Sequence, residues 1–413
     1  MPPLLIANAR VIDALAGEPR DGQDILIDDG TIAAIAPTGS LTIAQGLSSL
    51  ERIDAHGLTV MPGFFDCHIH ASTTPDQGAL EGITEAESAK TLRAVPQLRA
   101  TLMAGVTTAR DLAGADSGFR DSLEAGVIPG PRLLIALRIL SITGGHGDSR
   151  AVNGLALDSG PGAGAIADSP QEFVRITREA IREGADWIKI AATGGMGSPR
   201  SHPEGGGLSE SEMRAVVDEA KRHGIAGVAA HAIGTAGIAA AVRAGVRSIE
   251  HGYLVDDETI EAMIERGTVL VPTLSTLTRA VSPTAAPWVV AKRRRTIERA
   301  GERISAALAA GVQVALGTDA GIVPHGDNLR ELGLLVDHGL TPMQAILAGT
   351  ANAARLNGLD DEVGTLEVGK RADLVATSLD PLGDVHSLAM PHAMSLIVQA
   401  GDVITRPSET VTR

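Results

Sequence analysis

Residues 184–195 read GADWIKIAATGG and place a lysine, Lys189, in an apolar run that otherwise has the composition of a buried β-strand. A charged ammonium group in a low-dielectric interior is unfavourable unless it is paired, loses its proton or is chemically modified. One explanation is a metal site to which the lysine contributes. The alternative is an edge-strand lysine whose stem is buried while its ammonium group reaches water.

Seven further apolar strand patterns occur in the middle of the chain, in alternation with helical patterns. This alternation predicts repeated βα units and a parallel sheet. With residues 186–192 these segments make eight strands, so we predict an α/β fold in which residues 62–361 form a (β/α)8 TIM barrel. Chemistry in such a barrel is expected at the C-terminal ends of the strands. The seven segments are VMPGFFDCHIH, GVTTARD, RLLIALR, IAGVAAH, VRSIEH, TVLVPT and VQVALGTD.

The starts of three helices can be predicted from capping boxes, in which a Ser or Thr is followed three residues later by Glu or Gln. Proline at the first helical position supports two of these starts, and glycine predicts where helices end. The paired residues are Ser169 with Glu172, Ser209 with Glu212, and Thr341 with Gln344.

The two ends of the chain have a different sequence pattern from the middle region. Residues 1–61 and 362–413 contain short alternating apolar segments interrupted by Gly, Asp and Pro, which is typical of antiparallel strands. Both termini are rich in strand patterns, whereas the region between them alternates strands with helices. This arrangement suggests that the two termini pair with each other. We therefore predict one small β-sandwich domain built from both termini.

Composition restricts the class of protein. Hydrophobic residues make up 44% and charged residues 21% of the 413 residues, and no apolar run approaches the roughly 20 residues that span a bilayer. The N-terminus lacks a basic region and a clear cleavage site, so we expect a cytoplasmic protein without membrane contacts. A single cysteine, Cys67, excludes an internal disulfide framework. The net charge of -15 argues against nucleic-acid binding, and the basic run at 292–295 is interpreted as a solvated helix face.

Several residues with metal-binding side chains lie at the ends of the predicted strands. Taken singly, a strand-end histidine is more often hydrogen-bonded and half-buried than a ligand, and a single aspartate is most often a helix N-cap. Independent causes would rarely place all of them at one end of one barrel. Imidazole and carboxylate are ordinary ligands of zinc-like ions. With Lys189, the candidate ligands are His68, His70, His231, His251 and Asp319.

At this point the chain resembles the metal-dependent amidohydrolase superfamily, in its imidazolonepropionase-like and Xaa-Pro dipeptidase (prolidase) branch. Within that branch it is similar to the amidohydrolases that degrade ochratoxin. The resemblance covers nearly the whole chain. Its motifs are PGFFDCHIH, DWIKIAATGG, AHAIGTAGIAAAVRAGVRSIEHG, LGTDAG, PHGDNLRELGLLVDHGLTPMQAILAGTANAARLNGL and VGTLEVGKRADLVA.

The resemblance implies two divalent metal ions, zinc by default, with manganese, cobalt and iron also compatible. It implies that Lys189 captures carbon dioxide and that the resulting carbamate bridges the ions. A hydroxide between the ions would attack the amide carbonyl, and Asp319 would carry its proton to the leaving amine. The implied ligands are His68, His70 and Asp319 for the more buried ion, and His231 and His251 for the other.

Further residues are assigned by the same resemblance. His146, in TGGHGD, is expected to donate a hydrogen bond to the developing oxyanion, or else to be a solvent-exposed loop histidine. Ile233 stands where prolidases often carry a tyrosine that meets the substrate carboxylate, which favours a bulkier apolar substrate. Tyr253 is a candidate to bind that carboxylate or simply packs, and Arg200 offers a bidentate fork. His325, in PHGDN, is expected to contact the substrate or to order a loop.

The leading functional hypothesis is a binuclear amidohydrolase acting on N-acyl or N-aminoacyl amino acids, including ochratoxin A. The alternatives are an Xaa-Pro dipeptidase and an imidazolonepropionase-like hydrolase of cyclic amides, although the latter relatives generally lack the bridging lysine. A non-catalytic scaffold is disfavoured because the chain retains all the ligand positions. The expected partner is a small-molecule amide, and the resemblance implies a homo-oligomer, for example an octamer.

Overall fold

The strands of the protein form three hydrogen-bonded sheets in the computed structural model, which describes residues 2–15, 17–42, 50–75, 84–150, 153, 155, 164–196, 201–280 and 287–407. The strands are β1 Leu4–Val11, β2 Arg20–Asp28, β3 Thr31–Pro37, β4 Glu51–Asp54, β5 Thr59–Pro62, β6 Phe64–Ile69, β7 Val106–Asp111, β8 Arg132–Ile135, β9 Ile139–Ser141, β10 Ala165–Ile166, β11 Ile188–Ala191, β12 Val228–Ala232, β13 Ser248–His251, β14 Val269–Val271, β15 Leu374–Thr377, β16 Leu396–Gln399 and β17 Asp402–Thr405.

The described helices lie mainly between the strands of the middle region. They are α1 Glu87–Met103, α2 Ser117–Glu124, α3 Pro170–Arg182, α4 Glu210–Arg222, α5 Thr235–Ala244, α6 Asp257–Arg266, α7 Leu274–Thr278, α8 Pro287–Ala310, α9 Arg330–Asp337, α10 Pro342–Ala348 and α11 Ala351–Asn357, with a 3-10 helix at Val385–Ala389. No helix within the described ranges combines the length and the apolar character needed to cross a membrane.

The three capping boxes behave as predicted at the helix starts. The side chains of Ser169, Ser209 and Thr341 each accept a hydrogen bond from the backbone three residues later, at the first turns of α3, α4 and α10. For α4 and α10 the reciprocal bond from the third residue is also present. Each cap satisfies N–H groups that the helix itself cannot pair.

Parallel strands make up the middle of the chain. One sheet has the order β6-β7-β8 and the other β10-β9-β11-β12-β13-β14, and every pair in them is parallel. Seven of the eight predicted strands overlap a regular strand of these two sheets, but residues 60–62 of the first prediction belong instead to β5, which lies in a different sheet. The backbone N–H of Asp186 also donates to Ile135 O at 2.8 Å, which connects the end of β8 to the start of β11.

The predicted eighth strand, residues 312–319, is irregular, but it still connects the two parallel sheets. Ala315 N donates to Leu270 O at 3.0 Å on one side, and Cys67 N donates to Leu316 O at 2.8 Å on the other. Gly317 allows the close approach, because a Cβ there would lie 2.4 Å from Val271 and 3.0 Å from His68. At its end Asp319 has a left-handed backbone, with φ 63°, and its N–H donates to the carbonyl of His68 in β6 at 2.7 Å.

Strands from both ends of the chain share one eight-stranded sheet of order β17-β16-β15-β5-β1-β2-β3, with β4 beside β1. Its hydrogen bonds are antiparallel except where β1 pairs with β4 and β5. The sheet has its own cluster of buried apolar side chains, drawn from residues 4–60 and 366–398. Most of the remaining buried apolar residues belong to a larger cluster around the parallel strands.

Candidate metal centre

Five predicted ligands converge at the carboxyl ends of the parallel strands. His68, His251 and Asp319 each offer a ligand atom, all within 4.8 Å of one another, and all three residues are buried. His70 Nε2 lies 3.1 Å from Asp319 Oδ1. The ring of His231 is centred 4.6 Å from that of His251. The strand ends therefore gather four imidazoles and one carboxylate in one place.

Lys189, on β11, is 1% exposed, and among the described residues its Nζ has no hydrogen-bond partner. Burial lowers the pKa of Lys189 to about 8; Arg110 lowers it further, while Glu250 and Asp319 oppose that shift. Only the neutral amine can react with carbon dioxide, and the lowered pKa increases the fraction of Lys189 in that form. A buried, unpartnered amine beside imidazoles and a carboxylate fits a site for divalent cations that binds through a modified lysine.

The histidines are held by hydrogen bonds from the ring nitrogen that faces away from the centre. His68 Nδ1 lies 2.9 Å from Glu250 Oε2, His70 Nδ1 lies 2.7 Å from Ala113 O, and His251 Nδ1 lies 2.7 Å from Thr273 Oγ1. For His68 and His251 this leaves Nε2 for a metal ion, whereas Nε2 of His70 already contacts Asp319 Oδ1 at 3.1 Å, a contact that a bound ion would replace. His231 is the exception, because its Nε2 lies 3.2 Å from Gly194 O and leaves Nδ1 instead.

Electrostatics keep most of these imidazoles neutral, which is the form that binds metals. Burial lowers the pKa of His251 to about 4 and that of His68 and His231 well below the ordinary value. Burial also disfavours the charged form of His70, but the hydrogen bond and charge of Asp319, with the charge of Asp111 and the Ala113 carbonyl, together outweigh burial and raise the pKa. Burial disfavours ionised Asp319 as well, yet His68 and His70 hold its pKa well below the usual range.

Three successive strand ends carry non-glycine residues with left-handed backbone: His251 (φ 73°), Thr273 (φ 48°) and Asp319 (φ 63°). This conformation is unfavourable, especially for a β-branched residue such as Thr273, and persists only where surrounding contacts impose it. Tyr253 OH donates to Thr273 O at 3.1 Å. Glu331 accepts from the N–H groups of Leu274 and Ser275 at 2.6 and 2.7 Å, which fixes the turn beside His251.

Asp66 is a second buried carboxyl that the sequence reasoning missed. It accepts from His68 N at 3.0 Å, from Thr318 N and Oγ1 at 3.1 and 2.6 Å, and from Asn328 Nδ2 at 2.7 Å. Burial raises the pKa of Asp66 to about 6 despite these bonds. The residue ties the DCHIH, GTDAG and PHGDN motifs together. The sequence feature that could have revealed Asp66 is a carboxylate within an otherwise apolar strand pattern.

His146 lies against the ligand cluster, with its ring centred 4.2 Å from that of His231 and tilted by 31°. Burial lowers the pKa of His146 to about 4, so the imidazole is neutral and can donate one N–H. Gly195 packs directly on this ring: a Cβ at Gly195 would lie 2.3–2.8 Å from ring atoms of His146. Gly195 N also donates to Ser201 Oγ at 3.2 Å. The second glycine of ATGG therefore makes room for His146.

The predicted substrate residues differ in their surroundings. Ile233 is 2% exposed and packs in the main apolar cluster. Tyr253 is buried, and its hydroxyl contacts the carbonyl and Oγ1 of Thr273, the same residue that His251 contacts. His325 bonds to Thr101 Oγ1 at 3.0 Å and to the carbonyl of His70 at 3.3 Å. Arg200 lies outside the described residues.

The donor set and its place at the ends of parallel strands are those of a metal-dependent hydrolase. A family model described as "Amidohydrolase family" matches residues 59–404, so the chain belongs to the amidohydrolase family and is a hydrolase acting on amide bonds. The resemblance stated from the motifs is thereby confirmed.

Individual relatives lie in the same branch of the family. The ochratoxinase of Aspergillus niger is 32% identical, over 95% of this chain and 84% of its own length. The imidazolonepropionase of Symbiobacterium thermophilum is 29% identical, over 91% of each chain. The crystal structure of an Xaa-Pro dipeptidase with bound methionine in the active site has a TM-score of 0.89 and 30% identity, over 98% of this chain and 100% of that one.

Proposed function

We propose that this protein is a binuclear metal-dependent amidohydrolase that cleaves the amide bond of N-acyl or N-aminoacyl amino acids. Ochratoxin A, which would yield ochratoxin α and phenylalanine, is the specific substrate we propose. The observation that carries the proposal is the buried amine of Lys189, which has no hydrogen-bond partner in the described part of the chain and lies on the strand next to that of His231, together with the cluster of His68, His251 and Asp319. The similarity to an ochratoxinase and to an Xaa-Pro dipeptidase supports an amide substrate that contains an amino acid.

Two divalent ions, zinc by default, would be held by this donor set together with a carbamylated Lys189. When bound, such ions supply Lewis acidity and make water acidic enough to serve as a nucleophile. The ligands of the more buried ion would be His68, His70 and Asp319, and those of the other His231 and His251.

The chain's own residues would handle the protons and the developing charge. Asp319 would accept the proton of the nucleophile, because its carboxylate stays ionised, and would deliver it to the leaving amine. The neutral His146 would donate a hydrogen bond to the carbonyl oxygen as negative charge develops on it. Both groups lie within the same cluster of rings.

We also propose that the parallel strands close into a (β/α)8 barrel over residues 62–361. The hydrogen bonds of the 312–319 segment to β14 and β6, and that of Asp186 to the end of β8, support this closure. The separate apolar cluster of the mixed sheet supports a small domain formed from residues 1–61 and 362–413.

A substrate panel tests the proposal. Zinc-reconstituted protein would be incubated with ochratoxin A, Xaa-Pro dipeptides, N-acyl amino acids and imidazolone propionate, and the products identified by mass spectrometry. We expect release of phenylalanine from ochratoxin A far faster than cleavage of the dipeptides, and loss of activity on chelation. Preference for the dipeptides would make the protein a prolidase, and undiminished turnover by metal-free protein would exclude the metal mechanism.

The position of His146 gives a further prediction. In Gly195→Ala the added methyl group overlaps the imidazole of His146 and displaces it, because the Cβ would be 2.3 Å from Nδ1. We expect kcat to fall by about 10²-fold, the loss typical of one oxyanion donor, with zinc content unchanged. Steady-state kinetics and metal analysis of the purified variant measure both.

Gly206 supplies the matched control in the same loop. A Cβ at Gly206 meets nothing within 4 Å, and its backbone is not in the left-handed region. Gly206→Ala should therefore keep wild-type kinetics. Equal losses in the two variants would mean that the loop, and not the ring of His146, is responsible.

A further inference from the structure

A buried ion pair lies directly beneath the ligand cluster. Arg110, on β7, and Glu250, on β13, both have fully buried side chains, and Arg110 Nη2 donates to Glu250 Oε1 at 3.0 Å. Ser248 Oγ donates to the same oxygen at 2.5 Å. Arg110 Nε also donates to Cys67 O at 2.6 Å, and its guanidinium lies 4.2 Å from the centre of the Trp187 ring. These contacts hold Glu250 in one orientation.

The two carboxylate oxygens of Glu250 contact different residues. Oε1 accepts from Arg110 and Ser248, while Oε2 lies 2.9 Å from His68 Nδ1. A carboxylate that faces a guanidinium is an acceptor on both oxygens, so the hydrogen of this contact must belong to Nδ1 of His68. His68 is then the tautomer with a free electron pair on Nε2.

The free electron pair points toward the other ligands. His68 Nε2 lies 3.6 Å from Asp319 Oδ1. In that tautomer both atoms are acceptors, and a cation between them would make their close approach favourable. The opposite tautomer would place a proton on Nε2 and block the ligand position.

We infer that Glu250, oriented by Arg110 and Ser248, is a positioning residue that selects the metal-binding tautomer of His68 and thereby sets the affinity for the ion that His68 holds. The inference rests on the proposed binuclear function. An ion pair that merely stabilises the interior would leave metal affinity unaffected, which separates the two roles.

Glu250→Gln is the test variant, because glutamine keeps the shape of the side chain. Its carbonyl oxygen would remain with Arg110 and Ser248, so its NH2 group would face His68 Nδ1 and favour the blocked tautomer. We expect one of the two zinc sites to weaken by about 10- to 100-fold, the usual effect of losing such a partner. Competition between metal-free protein and a chromophoric chelator measures the affinity of each site.

Glu219→Gln is the matched control, since it makes the same substitution at a buried carboxylate that pairs with Arg178 on the helices and not with His68. We expect both of its zinc affinities to match wild type. Circular dichroism and thermal unfolding establish that the compared variants are folded at the temperature of the titration. Wild-type affinities in folded Glu250→Gln would overturn the inference.

A measurement on the wild-type protein covers the case in which Glu250→Gln does not fold. Nitrogen-15 NMR of metal-free, histidine-labelled protein, with His68→Asn to assign the signal, reports which ring nitrogen carries the hydrogen. We expect Nδ1, and hydrogen on Nε2 would overturn the inference. Failure of wild-type protein to bind two zinc ions would instead refute the proposed function, so the two failures are distinguishable.

Discussion

Lys189→Met is expected to lower kcat for amide hydrolysis by at least about 10³-fold while the protein stays folded. The variant removes the amine from which the proposed carbamate would form, and several kcal/mol of metal-based transition-state stabilisation correspond to a loss of this size. Methionine retains the length of the buried stem. The measurements are steady-state kinetics and metal content of protein reconstituted with zinc and bicarbonate.

The thermal stability of Lys189→Met should not fall with its activity. Lys189 Nζ is buried and has no hydrogen-bond partner among the residues that the structure describes, which is destabilising, whereas the methionine side chain is apolar. The metal-free variant should therefore have a Tm equal to or above that of metal-free wild type.

Lys189→Ala supplies the companion variant, because it leaves space at the same position. A short carboxylate such as acetate, added to Lys189→Ala, should restore part of the activity by supplying the missing oxygens, and should have no effect on Lys189→Met. Unchanged turnover in either variant would remove the carbamate from the mechanism.

Asp319→Asn is expected to lower kcat by about 10²- to 10⁴-fold, the range associated with loss of general acid–base catalysis. Asparagine tolerates the left-handed backbone found at Asp319, so the turn should persist. The amide can still coordinate through its oxygen, and we expect at least partial metal binding. Kinetics and zinc stoichiometry, measured on the same preparation, report the two effects separately.

The leaving group provides the control for this second prediction. An ester with a phenolate leaving group of low pKa needs no proton delivered to it, whereas an amine does. The defect of Asp319→Asn should therefore be smaller with such an ester than with an amide. An equal defect with both substrates would assign Asp319 to ligand binding alone, and wild-type rates would remove it from catalysis.

Much of the candidate site could be predicted because its signals are local. A strand that ends in His-x-His, or a capping box such as that of Ser209 and Glu212, lies within a few residues of chain and depends on backbone periodicity alone. The lysine in GADWIKIAATGG was conspicuous for the same reason: a charge in an apolar strand contradicts the local pattern.

The supporting network could not be predicted from such signals. Glu250 reads as an ordinary residue before a strand-end histidine, and Arg110 as a polar residue in a short strand. Their contact spans 140 positions, and that of Glu250 with His68 spans 182. Whether a buried charge has a partner depends on which strands become neighbours.

The sequence by itself determined the alternating strands and helices, the helix starts and the kinds of metal-binding side chain at the strand ends, since periodicity and capping act over a few residues. Only the tertiary structure decided the irregular path of residues 312–319, the left-handed Thr273 and the contact of Glu250 with His68. Those features depend on contacts between distant segments, where close packing and the pairing of buried polar groups leave few arrangements available.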